Sequence, residues 1–210
     1  SLGIGNDTHV VIVPAGADSS EMGTATRIYW TFKVLGHDEV SILNGGMAAW
    51  RADERNPLEK GRSTPAPKEF VAEFRPELLA TDEEVRAAMD AGTTLIDARP
   101  PDQYLGLNKS DPVRAYGTIP GAVNVPAIYA TVDGGGTFRD AGDMATVYSM
   151  SEAPTDAAAV TFCNTGHWAS VVWFVNSEIL GNKGTALYDG SMADWTTDDS
   201  APVDRRVVVD

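Results

Sequence analysis

Ala159-Val160-Thr161-Phe162-Cys163-Asn164-Thr165-Gly166-His167-Trp168 passes from one structural pattern to another. The first four residues are apolar or β-branched and read as a short buried strand. A polar stretch with a glycine follows and reads as a tight loop. From near Trp168 onward, Val171, Val172, Val175 and Ile179 fall at helical spacing. Strand, loop and helix in that order begin a βαβ unit, so Cys163 stands at the carboxyl end of a parallel strand. Ligand sites in open α/β sheets gather at that end.

Cys163 is the only cysteine, which rules out an intrachain disulfide and a cysteine-cluster zinc site. A lone cysteine is most simply a small buried hydrophobe. Its surroundings support a second reading. Loop amides and the positive end of a helix dipole stabilise an anion, and the thiolate is the nucleophilic form of the side chain. Gly166 permits backbone angles that a side chain would forbid.

The pattern recurs upstream. Asn44-Gly45-Gly46-Met47-Ala48-Ala49-Trp50 reads like Asp189-Gly190-Ser191-Met192-Ala193-Asp194-Trp195 at an offset of 145, and Leu35-Gly36 matches Leu180-Gly181 at the same offset. Val10-Val11-Ile12-Val13 matches Ala159-Val160-Thr161-Phe162 at an offset of 149, so the first copy's loop is four residues longer. In that copy Pro14 occupies the place of Cys163, and Ala15 to Gly23 continue the loop without a thiol. The first copy therefore offers no nucleophilic thiol at that place. Trp50 and Trp195 end matching turns and read as packing residues, and His37 reads as a helix-end residue.

More sequence precedes the second copy. Thr81-Asp82-Glu83-Glu84 is a helix start, with Thr81 as N-cap and Glu84 closing a capping box. Val85, Ala88 and Met89 give that helix an apolar face. Thr94-Leu95-Ile96-Asp97 reads as a buried strand, Gly117 to Ala122 as a turn into Val123-Asn124-Val125, and Asp133 to Gly136 as a flexible loop. Asp140 to Met150 fits a helix with Met144, Val147 and Tyr148 inward. No Lys-Ser/Thr follows the glycines of 134–136, so they are not a phosphate loop. These elements predict an α/β chain with a parallel sheet. Residues 1–50 form the second half of one domain, 51–78 a proline-bearing linker, 79–200 a complete domain and 201–210 a tail. Phe70 to Phe74 is a candidate edge strand. A half-domain exposes its inner faces, so the missing half is expected to have been lost by truncation or supplied by a cleaved chain.

The formal charge of −14 argues against a nucleic-acid partner, since phosphate binding needs a basic surface. No apolar run approaches the ~18 residues of a membrane span, and no secretory leader is evident in a chain that starts at Ser1. The expectation is a soluble protein, with cytoplasm and periplasm both open.

Four segments in order resemble the rhodanese family of sulfurtransferases. They are Ile96-Asp97-Ala98-Arg99, Gly117-Thr118-Ile119-Pro120-Gly121-Ala122-Val123-Asn124-Val125-Pro126, Cys163-Asn164-Thr165-Gly166-His167-Trp168-Ala169 and Asp189 to Trp195. Residues 79–196 resemble a complete domain and 1–50 the latter half of another. The resemblance implies an open five-stranded parallel sheet flanked by helices, in a tandem repeat whose first copy is partial and inactive. It also implies an active loop formed by Cys163, Asn164, Thr165, Gly166, His167 and Trp168.

By the same resemblance, Cys163 takes sulfur from a small anionic donor, thiosulfate or 3-mercaptopyruvate. The persulfide then passes it to a thiol or cyanide, with no metal or organic cofactor. An anionic donor calls for cations. Family members often have Arg where Gln103 stands, and the His of their Gly-His-Ile-Pro motif is Thr118 here. Asn164 and Thr165 replace the basic loop residues of thiosulfate-preferring members, and the loop does not match the mercaptopyruvate-preferring pattern either. Arg114 and Lys109 are the candidate displaced cations. Arg99 is a further candidate, although a buried ion-pair role suits it better, and Asp97 reads as a loop brace. His167 could steer substrate or brace the loop, and Trp168 reads as a loop wall. A phosphatase of the related fold needs a longer loop closed by Arg, and Ala169 stands in that place. A persulfide carrier without turnover, or a binding module, is the alternative from another class.

Overall fold

The computed structural model describes residues 2–209. A first segment contributes strand β1 (Val10–Ile12), helix α1 (Ser19–Val34), strand β2 (Val40–Ile42) and helix α2 (Gly46–Ala52). The second region runs β3 (Leu79–Ala80), α3 (Asp82–Ala91), β4 (Thr94–Asp97), α4 (Pro101–Leu105), β5 (Val123–Asn124), α5 (Ala141–Met150), β6 (Ala159–Phe162), α6 (His167–Phe174), β7 (Thr185–Tyr188) and α7 (Ser191–Trp195). Five parallel strands form one sheet in the order β3-β7-β6-β4-β5, and β1 pairs with β2 in a separate parallel ribbon. This is the predicted α/β architecture with its five-stranded open sheet.

The central strand β6 is buried at every residue, as expected of a parallel strand covered on both faces. Its alternation sorts the two cores. Val160 and Phe162 join Leu95 and Tyr188 against Val85, Met192 and Trp195 on one face. Ala159, with Ile96 and Leu187, faces Val172, Trp173 and the first segment on the other. The α3 capping box forms as its spacing predicts: Thr81 Oγ1 accepts from Glu84 N, and Thr81 N donates 2.8 Å to Glu84 Oε2. In α5, Met144 and Tyr148 are buried and Asp140 is the N-cap.

Helix α1 is the bridge between the regions. Asp18 caps it by accepting from Glu21 N at 3.0 Å. Met22 and Trp30 are buried, and full burial of such side chains contributes roughly 1.5–3 kcal/mol each. Thr26 and Ser170 share a buried 2.8 Å hydroxyl hydrogen bond between α1 and α6. Gly23 sets the closeness of this contact, because a Cβ there would stand 2.7 Å from His167 Nε2. Helix α6 continues as a π-helical turn over Val175–Ile179. On that turn Glu178 accepts from the Tyr29 hydroxyl of α1 at 2.9 Å.

Two local expectations differ from the structure. Phe70 to Phe74 contains no strand. Its backbone is held by isolated bonds, Val71 N to Asn6 Oδ1 at 2.9 Å and Glu73 N to Leu35 O at 3.0 Å, so it has no continuous ladder. The glycine stretch after Asp133 is no free loop. Gly136 O accepts from Gly45 N at 3.0 Å, and Phe138 N donates to Asn44 Oδ1 at 2.8 Å. The stretch lies on the first segment, where a Cβ on Gly136 would stand 2.1 Å from Gly16 O.

Candidate active site

Strands β4 and β6 end side by side in the middle of the sheet. Ala98 N donates 2.8 Å to Phe162 O, which brings the Asp97–Arg99 segment beside Cys163. The loop from Cys163 to Gly166 is then closed from below by the start of α7. Ser191 Oγ accepts from Cys163 N and from Gly166 N, each at 3.0 Å, and donates to Tyr188 O at 2.9 Å. Met192 N and Ala193 N donate to the carbonyls of Cys163 and Asn164. Ser191 holds φ +52° to do this, a left-handed conformation uncommon in residues other than glycine. Burial, reinforced by a 2.8 Å hydrogen bond to Asp194, pushes the Tyr188 hydroxyl above its ordinary pKa and keeps it a donor.

With two loop amides committed to Ser191, those of Asn164, Thr165, His167, Trp168 and Ala169 have no protein partner among the described hydrogen bonds. Gly166 turns the chain at φ +81° and serves as the N-cap of α6. A Cβ there would strike Asp189 and Arg27, which form an ion pair across the two regions. The arrangement can accept an anion at the sulfur: orphan amides at a helix start provide donors and partial positive charge.

Cys163 is only 2% exposed and touches the core, but it also borders a cavity of about 350 Å³. Asn164, Thr165, His167 and Trp168 line that cavity with it, joined by Ser20, Ser110 and Pro112. The sequence named the loop residues. Ser20, Ser110 and Pro112 carry no motif and come from distant segments, so only the fold brings them here. Ser191 was visible in a repeated turn, but nothing in the pattern marked its hydroxyl as the clasp of the loop.

The basic candidates are placed otherwise. Arg99 is fully buried. Its guanidinium pairs with Asp97, donates 2.8 Å to Gly117 O, and shares Asp97 Oδ2 with the Thr118 hydroxyl. Arg99 does not line the cavity, and as a substrate ligand it is corrected to a brace beside Asp97, because the paired carboxylate holds it inside the fold. Lys109 donates to Val113 O at 2.9 Å, and Arg114 is exposed. The two flank the stretch that provides Ser110 and Pro112, but neither lines the cavity. Gln103 accepts 2.9 Å from Asn164 Nδ2 and so positions the loop rather than adding charge. His167 Nε2 lies 3.0 Å from Ser20 O. A carbonyl only accepts, so this bond places a proton on Nε2.

Among the described residues, no group of three or more His, Cys, Asp or Glu side chains could hold a metal ion, and no helix is long and apolar enough to cross a membrane.

The rhodanese-like domain family matches residues 81–198. A Haloferax volcanii protein provisionally named thiosulfate sulfurtransferase is 31% identical over 98% of this chain and 72% of its own length. The thiosulfate sulfurtransferase of Rattus norvegicus is 32% identical over 99% of this chain and 68% of its own. Among solved structures, SseA from Escherichia coli, described as a 3-mercaptopyruvate sulfotransferase, superposes with a TM-score of 0.75 at 28% identity, covering 90% of this chain and 68% of that one. The anaerobic ergothioneine biosynthesis enzyme from Chlorobium limicola shares the fold at TM-score 0.81 and 22% identity, over 99% of this chain and 53% of that one. On these matches the chain belongs to the rhodanese family of sulfurtransferases.

Proposed function

We propose that the protein moves sulfane sulfur from a small donor to a thiol or cyanide through a persulfide on Cys163. The observation that carries this reading is the placement of the chain's one thiol: at the wall of a cavity, on a loop whose free amides begin a helix. The Cys163 thiolate attacks the outer sulfur of thiosulfate. The donor's S–S bond breaks, and sulfite leaves with the electron pair. With 3-mercaptopyruvate the C–S bond breaks instead, and the pyruvate fragment takes up a proton. In either case the persulfide anion is held by the same amides. Cyanide or a thiolate then attacks the outer sulfur and returns the electron pair to Cys163.

The Thr165 and Ser110 hydroxyls on the cavity wall supply neutral donors to the leaving group. Lys109 and Arg114, flanking Ser110 and Pro112, attract an anionic donor toward the mouth against the overall charge of −14. The first segment, with Pro14 in the place of the thiol, carries no sulfur itself and contributes Ser20 to the cavity wall. The near absence of charge in the cavity keeps a second reading in play, a persulfide carrier that awaits a partner.

Freshly reduced protein incubated with thiosulfate, and separately with 3-mercaptopyruvate, tests both. An adduct of one sulfur atom on Cys163, followed by steady release of thiocyanate to cyanide or hydrogen sulfide to dithiothreitol, supports the transferase. An adduct without turnover supports the carrier. No adduct from either donor overturns the proposal.

A further inference from the structure

A second cleft of about 240 Å³ adjoins the Cys163 cavity, and the two share Ser20 and Trp168. The second cleft is floored by Ala98, which hydrogen-bonds to the residue before Cys163, and by Ala127, which hydrogen-bonds to Ala98. Pro100, Pro126 and Ile128 line it further. Neither lining contains Lys, Arg, Asp or Glu, and His167 is the one ionisable side chain besides Cys163. Ile128 is 54% exposed and lies on the second lining. Beyond it, Arg139 and Asp143 line a different cavity, where they pair at 3.9 Å. The composite space therefore has a reactive sulfur in one compartment, a half-buried indole at the junction and an apolar compartment beside it. Small-molecule sites of this kind run to about 300–1,000 Å³ and are mostly apolar with few polar groups.

Thiosulfate and cyanide leave the apolar compartment empty. A charge of −14 and a lining without cations also favour a partner that is neutral away from its sulfur. We propose that the sulfur partner of Cys163 is an organic thiol with an apolar or aromatic body, seated in the second cleft against Trp168 with its sulfur directed at Cys163. The proposal rests on the persulfide reading above and specifies its acceptor. In the step, the bound thiolate attacks the outer sulfur of the Cys163 persulfide. A new S–S bond forms on the acceptor, the S–S bond to Cys163 breaks, and its electron pair restores the Cys163 thiolate. No oxidant or reductant is consumed, so an organic persulfide could also load Cys163 by the reverse reaction.

The test uses benzyl mercaptan against 2-mercaptoethanol as acceptors from sulfur-loaded protein. Wild type is expected to favour the benzyl compound at least about tenfold in kcat/KM, the scale on which an apolar pocket discriminates. Ile128→Asp puts a charge at the second cleft on an exposed side chain, and Ala127→Phe fills the cleft. Each should bring that preference down toward one. A wild-type preference near one, or a preference unaltered in both variants, overturns the proposal. A second readout does not need the persulfide: benzyl alcohol should slow alkylation of Cys163 in wild type and lose that effect in Ile128→Asp. Protection without any persulfide would sink the sulfur chemistry and keep the apolar site. Absence of protection in wild type would sink the site whatever the chemistry.

Discussion

The loop after β1 and the loop after β6 have the same backbone support and different contents. Met47 N and Ala48 N donate to the carbonyls of Pro14 and Ala15, just as Met192 N and Ala193 N donate to those of Cys163 and Asn164. Gly46 and Ser191 both take left-handed φ, +57° and +52°. In the first loop there is no thiol and no hydroxyl clasp, the glycine stretch of 134–136 lies against it, and the cavity of about 230 Å³ beside Pro14 and Ala15 is walled by β1 and α1. In the second loop a serine hydroxyl gathers two amides, a thiol stands at the strand end, and a cavity opens above it. A strand-end loop braced by a following glycine turn is therefore a general frame. What differs between the two is the side chains set on it.

The largest expected effect comes from removing the thiol. Cys163→Ser should lower thiocyanate formation by at least about 10³-fold, as loss of a covalent nucleophile does, with the thermal midpoint nearly unaltered. Adding Pro14→Cys to that variant should restore nothing, since the first loop lacks the hydroxyl clasp that gathers the amides around Cys163. Recovery of activity in the double variant would erase the distinction between the loops.

Ser191→Ala comes next. It strips a partner from two buried amides and from Tyr188 O while leaving the strained φ in place. Urea melts should show a loss of about 2–3 kcal/mol, together with slower persulfide formation. Gly46→Ser, the reciprocal change, should also destabilise, because a Cβ there would stand 2.4 Å from Pro14 O. Gly136→Ala tests the cover over the first loop. Its Cβ would stand 2.1 Å from Gly16 O, so a loss of about 2 kcal/mol is expected, with sulfur transfer at Cys163 retained in the folded fraction.

The smallest effect concerns the far end of α1. Arg75 and Lys33 hold the Asp38 carboxyl well below the ordinary aspartate range. A depressed carboxylate adds stability above its unfolded value of 3.8 and loses it as pH falls from there toward the folded value. The side chain is half exposed, and solvent screens the pair. Asp38→Asn should therefore cost less than about 1 kcal/mol at pH 7. The difference between wild type and variant should shrink in chemical melts below pH 3.8.

Much of this was legible in the residues. The buried run before Cys163, the helical spacing after it and the capping box at Thr81 depend on near neighbours, and they fix strand, loop and helix directly. The loop residues from Cys163 to Trp168 were legible for the same reason. The rest depends on contacts distant in sequence. Ser20 reaches the cavity because Gly23 lets α1 approach His167, and no local pattern records that approach. Arg99 follows Asp97 by two residues, and the sequence favours a buried ion pair for it. The pair forms, but the further bond to Gly117 O and the Thr118 hydroxyl that shares Asp97 Oδ2 come from a segment distant in sequence. Phe70 to Phe74 has strand-forming residues yet finds only single hydrogen bonds, because strand formation needs a partner edge as well as a suitable composition.

The central claim is that the one thiol of this chain opens onto a cavity and is not sealed in the core. Alkylation of native, reduced protein by iodoacetamide, read by intact mass and compared with the same protein in denaturant, tests it with no donor present. Modification of Cys163 under native conditions, at a rate far above that of global unfolding, is the predicted result. Labelling that proceeds only at the rate of unfolding would contradict the account.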